Sequence, residues 1–321
     1  MVKERPGAAF GQRQLMDRFR ASLTARARAP GESLEVYAAD VSRLVAEAFP
    51  DYGDVAQREE KFRRFLAGLD PALKAKCLEM GATDLEEALH VAERCENARA
   101  ALQRDYALIK YYCYEKQFNH AVNSASAAQR KFSHDPVYVF FHAYATLMQG
   151  EIQEATAELD TIRDDRDLSL CTLMALVYAE KKKANPDKDI IQQLDAKVKE
   201  DRKSAPPKSL YHAGTFLWLL GRNDRAREYT ERMIKLSNGS REGIILKAWI
   251  DVTSEKDAYV RKAGKYFDEG LKERVDVFAL MGKTGGNCEE ELVRILPTRL
   301  GKSAFLLWDS LLGRPSRIIL W

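Results

Sequence analysis

One spacing recurs often enough to decide what this chain can fold into. In "FFHAYATLMQGEIQEATAELDTI" Gly150 is followed five residues later by Ala155, and in "LYHAGTFLWLLGRNDRAREYTERMI" Gly221 is followed five residues later by Ala226. Seven residues before each glycine stands a small residue, Ala143 or Gly214, and seven after each alanine stands Ile162 or Met233. Apolar residues keep helical spacing on both sides of the glycine but change phase across it. Each glycine therefore reads as a turn between two amphipathic helices, and the small residues mark where the helix axes come closest. Upstream, "LIKYYCYEKQFNHAVNSASAAQRKF" places Ala121 34 residues before Ala155. Downstream, "LKAWIDVTSEKDAYVRKAGKYFDEGL" places Ala263 37 residues after Ala226, which implies a turn about three residues longer. The 71 residues from Ala155 to Ala226 are two periods plus three, and the irregular "LCTLMALVYAEKKKANPDKDIIQQLDAKV" fills the gap. Five helix pairs are expected over residues 103–283.

A period of 34 residues is that of tetratricopeptide repeats. Such units cannot bury their apolar faces alone and stack into a superhelix. The expected fold is all-α: a small helical bundle followed by a tetratricopeptide-type helix-turn-helix solenoid. Ala121, Ala143, Gly150, Ala155, Gly214, Gly221, Ala226 and Ala263 are its repeat-packing anchors. Phe118, Tyr144, Trp218, Tyr229 and Phe267 read as packing residues rather than as a surface on which bases stack. First helices line the concave groove of such arrays. By phase, Phe140, Tyr144, Leu147 and Met148 of one unit and Tyr211, Thr215, Trp218 and Leu219 of another are candidates for a partner-binding wall.

Turns and linkers extend the pattern beyond its anchors. The run from Phe141 to Gly150, "DLSLCTLMALVYAEKKKANPDKD", the run at 210–239 and "LKAWIDVTSEKD" resemble the N-terminal repeats of the tetratricopeptide repeat protein 21 family. That resemblance implies a subunit of intraflagellar transport complex A, a non-enzymatic scaffold acting in retrograde transport and in protein localisation to cilia. Its implied partners are other subunits of that complex and ciliary cargo. Its implied location is the cytoplasm, the cilium and the ciliary base. Members of the family are much longer than this chain.

Residues 1–100 differ in character. Leu34, Tyr37, Ala38, Val41, Leu44, Val45 and Ala48 form one helical stripe between Pro30-Gly31 and Pro50. Phe62, Phe65, Leu66 and Leu69 share a second face, ended by Gly68 before Asp70-Pro71. Thr83, three residues before Glu86, has capping-box spacing. Four or five short helices in a bundle are expected, preceded by a basic arm with Lys3, Arg5, Arg13, Arg18, Arg20, Arg26 and Arg28. Gly31-Glu32-Ser33-Leu34, Ala48-Phe49-Pro50, Phe65-Leu66, Gly68-Leu69, Pro71 and the Leu85 to Ala88 helix resemble the capsid C-terminal region of Ty3/gypsy retrotransposon Gag proteins over about 10–100. This resemblance implies self-association. The Cys/His zinc knuckle that often follows in Gag proteins does not follow here, so no nucleic-acid partner is expected. A domesticated Gag-like assembly protein, with a capacity for nucleic acid, is the alternative reading of the whole chain. Residues 284–321 lose the repeat frame and read as a non-homologous tail, with helices near 289–296 and 303–312.

Chemistry finds little foothold. A formal charge of +3 argues for no polyanionic partner. No apolar run approaches the length of a membrane span, and no signal-peptide core is visible at the start. The five cysteines show no CxxC spacing and read as reduced thiols, with no metal or cofactor expected. Gly282-Lys283-Thr284 and Gly301-Lys302-Ser303 lack the earlier glycine of a phosphate loop, which Val277 and Leu296 replace. His142 and His212 occupy equivalent repeat positions and read as packing residues. Glu59-Glu60 and Glu289-Glu290-Glu291 read as solvated charge runs, not acid/base pairs. No enzyme is expected.

Overall fold

A computed structural model of the chain describes residues 6–283 apart from 30, 134 and 273–275, with side chains from residue 14 onward. Fifteen helices and no strand are found among the described residues. The expected helices of the tail, the second phosphate-loop-like triplet and Cys288 lie outside them. The chain divides into two compact units, Met1–Leu102 and Gln103–Trp321.

The first unit holds α1 (Pro6–Ala25), α2 (Leu34–Ala48), α3 (Asp54–Ala67), α4 (Pro71–Glu79) and the start of α5 (Leu85–Tyr114). All seven residues of the α2 stripe are buried. They pack with Phe65, Leu66, Leu69, Leu73 and Cys77, while Phe62 is partly buried against this core. The Tyr37 hydroxyl donates to the backbone carbonyls of Arg64 and Phe65 at 3.2 and 3.3 Å. Gly68 caps α3 under that phenol; an added Cβ there would lie 2.0 Å from the Tyr37 oxygen. Asp70 then caps α4, accepting from the Ala72 and Leu73 amides, with Pro71 at the first turn where no amide is needed.

Three expectations are corrected in this unit. The cap of α5 sits one residue later than the spacing suggested. Asp84 accepts from the Glu87 amide at 2.9 Å, and the Glu87 carboxylate takes the Thr83 amide and hydroxyl at 2.8 and 2.9 Å. The basic stretch is not a free arm at its described C-terminal end. Arg26 pairs with Glu32 and with Asp40, and Arg28 reaches Glu96 at 2.6 Å. Glu60 is no solvated charge: it is buried between Arg63 and Arg64. Burial pushes its carboxyl up, but the two guanidinium groups outweigh that and hold it below the usual range.

α5 also departs from the expected short helices. No glycine or proline interrupts 85–114, so nothing breaks the backbone ladder over its 30 residues.

The second unit contains the end of α5 followed by α6 (Phe118–Lys131), α7 (Pro136–Gln149), α8 (Ile152–Thr161), α9 (Ser169–Lys182), α10 (Lys188–Ser204), α11 (Pro207–Leu219), α12 (Asn223–Leu236), α13 (Arg241–Val252), α14 (Asp257–Leu271) and α15 (Val277–Lys283). α7 and α8, α9 and α10, α11 and α12, and α13 and α14 pack as hairpins, and the first helices α7, α9, α11 and α13 also touch in succession. This is a helical-repeat array. Ala121, Ala143, Ala155, Ala226 and Ala263 are at most 1% exposed, and Gly214 is buried. A Cβ on Gly214 would meet the Thr230 hydroxyl at 2.9 Å, so the helix axes there approach as closely as a missing side chain allows.

Gly150 and Gly221 end α7 and α11 in the left-handed region, with φ of 101° and 72°. The same frame position in the first pair, five residues before Ala121, is Lys116. It holds φ of 58° without being glycine. Turn geometry thus persists where the glycine signal is gone.

Charge also fixes part of the array. Arg227 and Glu231 of α12 face Asp251 and Lys247 of α13, forming one buried pair, Arg227–Asp251, and one at 2.9 Å, Lys247–Glu231. Two tyrosines of α14 cover the cations: Arg227 lies 3.6 Å from the Tyr259 ring centroid and Lys247 lies 5.1 Å from that of Tyr266. The Nε and Nη2 of Arg227 find no hydrogen-bond partner under that ring. Burial pushes the Asp251 carboxyl up despite the facing guanidinium.

Candidate partner-binding face

The first helices of the pairs carry the candidate wall. Proline and an acidic cap start α7: Asp135 accepts from the Val137 amide at 3.0 Å, and Pro136 needs no partner. Pro207 plays the same part in α11. From these starts the helical period places Phe140, Tyr144 and Leu147 of α7, and Thr215 and Trp218 of α11, at most 4% exposed. Met148, Tyr211 and Leu219 are half-buried.

The candidates come together. Phe216 of α11 meets Phe140 and Tyr144 edge-on, with centroids 6.0 and 5.9 Å apart. The Tyr144 hydroxyl donates to the Leu219 carbonyl at 3.3 Å. Thr215 returns its hydroxyl to the Tyr211 carbonyl of its own helix at 2.9 Å. The Trp218 indole donates to the Thr253 hydroxyl at 3.0 Å. Tyr144 and Trp218 are thus polar-satisfied packing residues. Of the candidates, Met148, Tyr211 and Leu219 alone keep partial exposure.

Four residues that phase alone did not single out complete this face: Lys110, Tyr114, Trp249 and Phe278. Tyr114 stacks on Trp218 and tilts against Trp249. Lys110 donates to the Tyr211 hydroxyl at 3.1 Å and lies over Phe278. A signal for two of them was available. The residue after the small anchor is Tyr144 in the second pair and Thr215 in the fourth. In the first and fifth pairs the same place falls on Lys110, after Ile109, and on Trp249, after Ala248. Ile109 and Ala248 are both fully buried, as Ala143 is. The longer turn of the fifth pair and the branched Ile109 hid the correspondence.

Two histidines sit beside this face. His142 Nδ1 lies 2.8 Å from the Glu158 carboxylate. Desolvation, reinforced by the nearby cations Lys110 and Lys208, pushes His212 down to about 3. Burial likewise raises the Cys171 and Cys113 thiols, which makes them poor nucleophiles. Among the described residues no group of three or more His, Cys, Asp or Glu side chains is placed to hold a metal ion. No helix of the described residues is long and apolar enough to cross a membrane.

Known proteins share this repeat region. The sequence matches the family described as Tetratricopeptide repeat protein 21 N-terminal ARM repeat over residues 109–288. That description places the helix pairs among ARM repeats, whereas the 34-residue spacing is the tetratricopeptide period; both kinds are stacked helical hairpins. Tetratricopeptide repeat protein 21B of Homo sapiens is 53% identical over 176 residues, covering 55% of this chain and 13% of its own length. The Xenopus laevis 21B protein is 49% identical over 175 residues, covering 54% of this chain and 13% of its own. Tetratricopeptide repeat protein 21A of Homo sapiens is 46% identical over 175 residues, again 54% of this chain and 13% of the relative. This chain therefore spans only a small part of the length of these relatives, and residues before 109 lie outside the family match. With over half of its residues inside that match, the chain belongs to the tetratricopeptide repeat protein 21 family, through its N-terminal helical repeats.

Proposed function

We propose that residues 103–283 act as a non-enzymatic protein–protein interaction scaffold in intraflagellar transport complex A. There they would serve retrograde transport along the cilium and the delivery of proteins to it. The observation that carries this reading is 53% identity to tetratricopeptide repeat protein 21B of Homo sapiens over 176 residues. A match of that length spans turns and solvent-facing positions, which bear on partners and not on the core alone. The partners proposed are other complex A subunits and ciliary cargo, met in the cytoplasm, at the ciliary base and in the cilium. The half-buried edge of Met148, Tyr211 and Leu219 is the proposed contact on the first helices. The test is capture of complex A subunits from ciliated cells by the full chain. Recovery of those subunits, reduced by Met148→Glu without loss of helicity, supports the reading. No recovery by a chain shown to be folded overturns it.

A second reading rests on the first unit. It is compact, has its own core and lies before the family match, and it exposes Val36, Tyr52, Val55, Leu78 and Met80. Under that reading residues 10–100 self-associate. Light scattering over a hundredfold concentration range should then show assemblies; a monomer throughout sinks it.

A further inference from the structure

In a stacked array each helix pair touches its sequence neighbours and little else. The end of α5 breaks that rule. It belongs to the first pair, yet its side chains meet the fourth pair, the fifth pair and α15. Tyr114 stacks on Trp218 of α11, with centroids 5.2 Å apart and rings 7° from parallel. The same ring tilts against Trp249 of α13 at 5.5 Å and 60°. One turn earlier, Lys110 donates to the Tyr211 hydroxyl at 3.1 Å across 101 residues of chain. Its ammonium also lies 4.1 Å from the centroid of Phe278 in α15.

The receiving residues are themselves joined. Phe278 stacks on Trp249 at 4.7 Å, and the Trp249 indole donates to the Phe278 carbonyl at 3.0 Å. Trp218 meets both, at 5.5 Å and 6.0 Å. A lysine over one aromatic face, and a tyrosine stacked on one indole and tilted against a second, is the kind of grip by which proteins hold a partner helix. Here the held helix is the chain's own.

We infer that the end of α5 is an intramolecular clasp: Tyr114 and Lys110 occupy the aromatic face of α11, α13 and α15 and tie the first repeat to the last described one. Two consequences separate a clasp from ordinary packing. The far end of the array, α13 and α15, is held against local opening by a contact from the first pair that the middle pairs do not share. Trp218, Trp249 and Phe278 are also closed to outside ligands while α5 covers them.

The experiment is hydrogen exchange on the full chain with two variants. Tyr114→Leu keeps apolar bulk and removes the ring. Amide protection in α13 and α15 should fall about three- to tenfold while α8 and α10 keep theirs, since an aromatic contact carries energy of that order beyond its area. Lys110→Met keeps the apolar stem and removes the charge, and its loss of protection should centre on α11 and α15. Unchanged protection in α13 and α15 overturns the inference. So does an equal fall in every helix, which would make Tyr114 a core residue like any other. Should Tyr114→Leu fail to fold, the half-buried Lys110→Met decides alone: unchanged exchange at α15 refutes the clasp.

Discussion

Asp251 is 1% exposed and forms its ion pair with Arg227. Removing one member of a buried pair leaves the other charge stranded, which costs about 3–5 kcal/mol. Asp251→Ala should therefore lower the unfolding free energy by that amount, while an Arg227→Met, Asp251→Leu double change should recover most of it. Urea midpoints of the three proteins check this. His212 sets a pH dependence of opposite character. Its pKa falls from 6.5 to about 3 on folding, so the folded chain keeps the imidazole neutral. The unfolded chain binds a proton below about 6.5, so this contribution is present above that pH and is lost as pH falls towards about 3. The slope approaches about 1.4 kcal/mol per pH unit. His212→Asn should flatten the decline in denaturation midpoint between about pH 6 and pH 4. A wild-type slope that persists in the variant would assign the decline to carboxylates instead.

At the scale of helices and turns, local rules were readable wherever the cause was itself local. The α2 stripe lies within one helix and shows in the period alone. Gly150 and Gly221 announce their turns because no other residue adopts a positive φ so readily. Lys116 makes the same turn silently, since nothing in a lysine codon position advertises left-handed backbone. Lys116→Gly should stabilise the chain by about 1 kcal/mol by relieving that conformation, less the entropy that glycine gains in the unfolded state. An unchanged or lower midpoint would mean the lysine side chain compensates. The shifted cap of α5 and the burial of Glu60 were illegible for a related reason: both depend on which neighbour wins a hydrogen bond, and Thr83, Asp84, Glu86 and Glu87 offered several outcomes of similar spacing.

For the molecule as a whole, the period told the architecture but not its closure. Contacts between Lys110 and Phe278 or Tyr114 and Trp249 join residues more than a hundred positions apart, and a repeat frame predicts only neighbours. The candidate wall shows the same limit: Phe140, Tyr144, Leu147, Thr215 and Trp218 share a phase, but phase cannot say how deeply each is buried. Two separate cores make one further expectation. Phe65→Ala, in the centre of the first unit, should cost about 3–5 kcal/mol there. Hydrogen exchange in α11 to α14 should stay as it was; if it quickens in step, the units do not fold independently.

Arrays of similar hairpins carry a hazard of their own making, because a newly made helix finds several nearly equivalent seats. In the frame that aligns Ala155 with Ala226, α8 has Thr156 where α12 has Arg227. The Thr156 hydroxyl is already spent on the Ile152 carbonyl of its own helix. Were α13 to settle on α8, Asp251 would be buried with no cation to meet it, although Asp160 stands where Glu231 does and would still face Lys247. The Arg227–Asp251 pair thus works as an address, marking the seat on α12 off from its look-alike on α8 and steering the growing chain away from that swapped order.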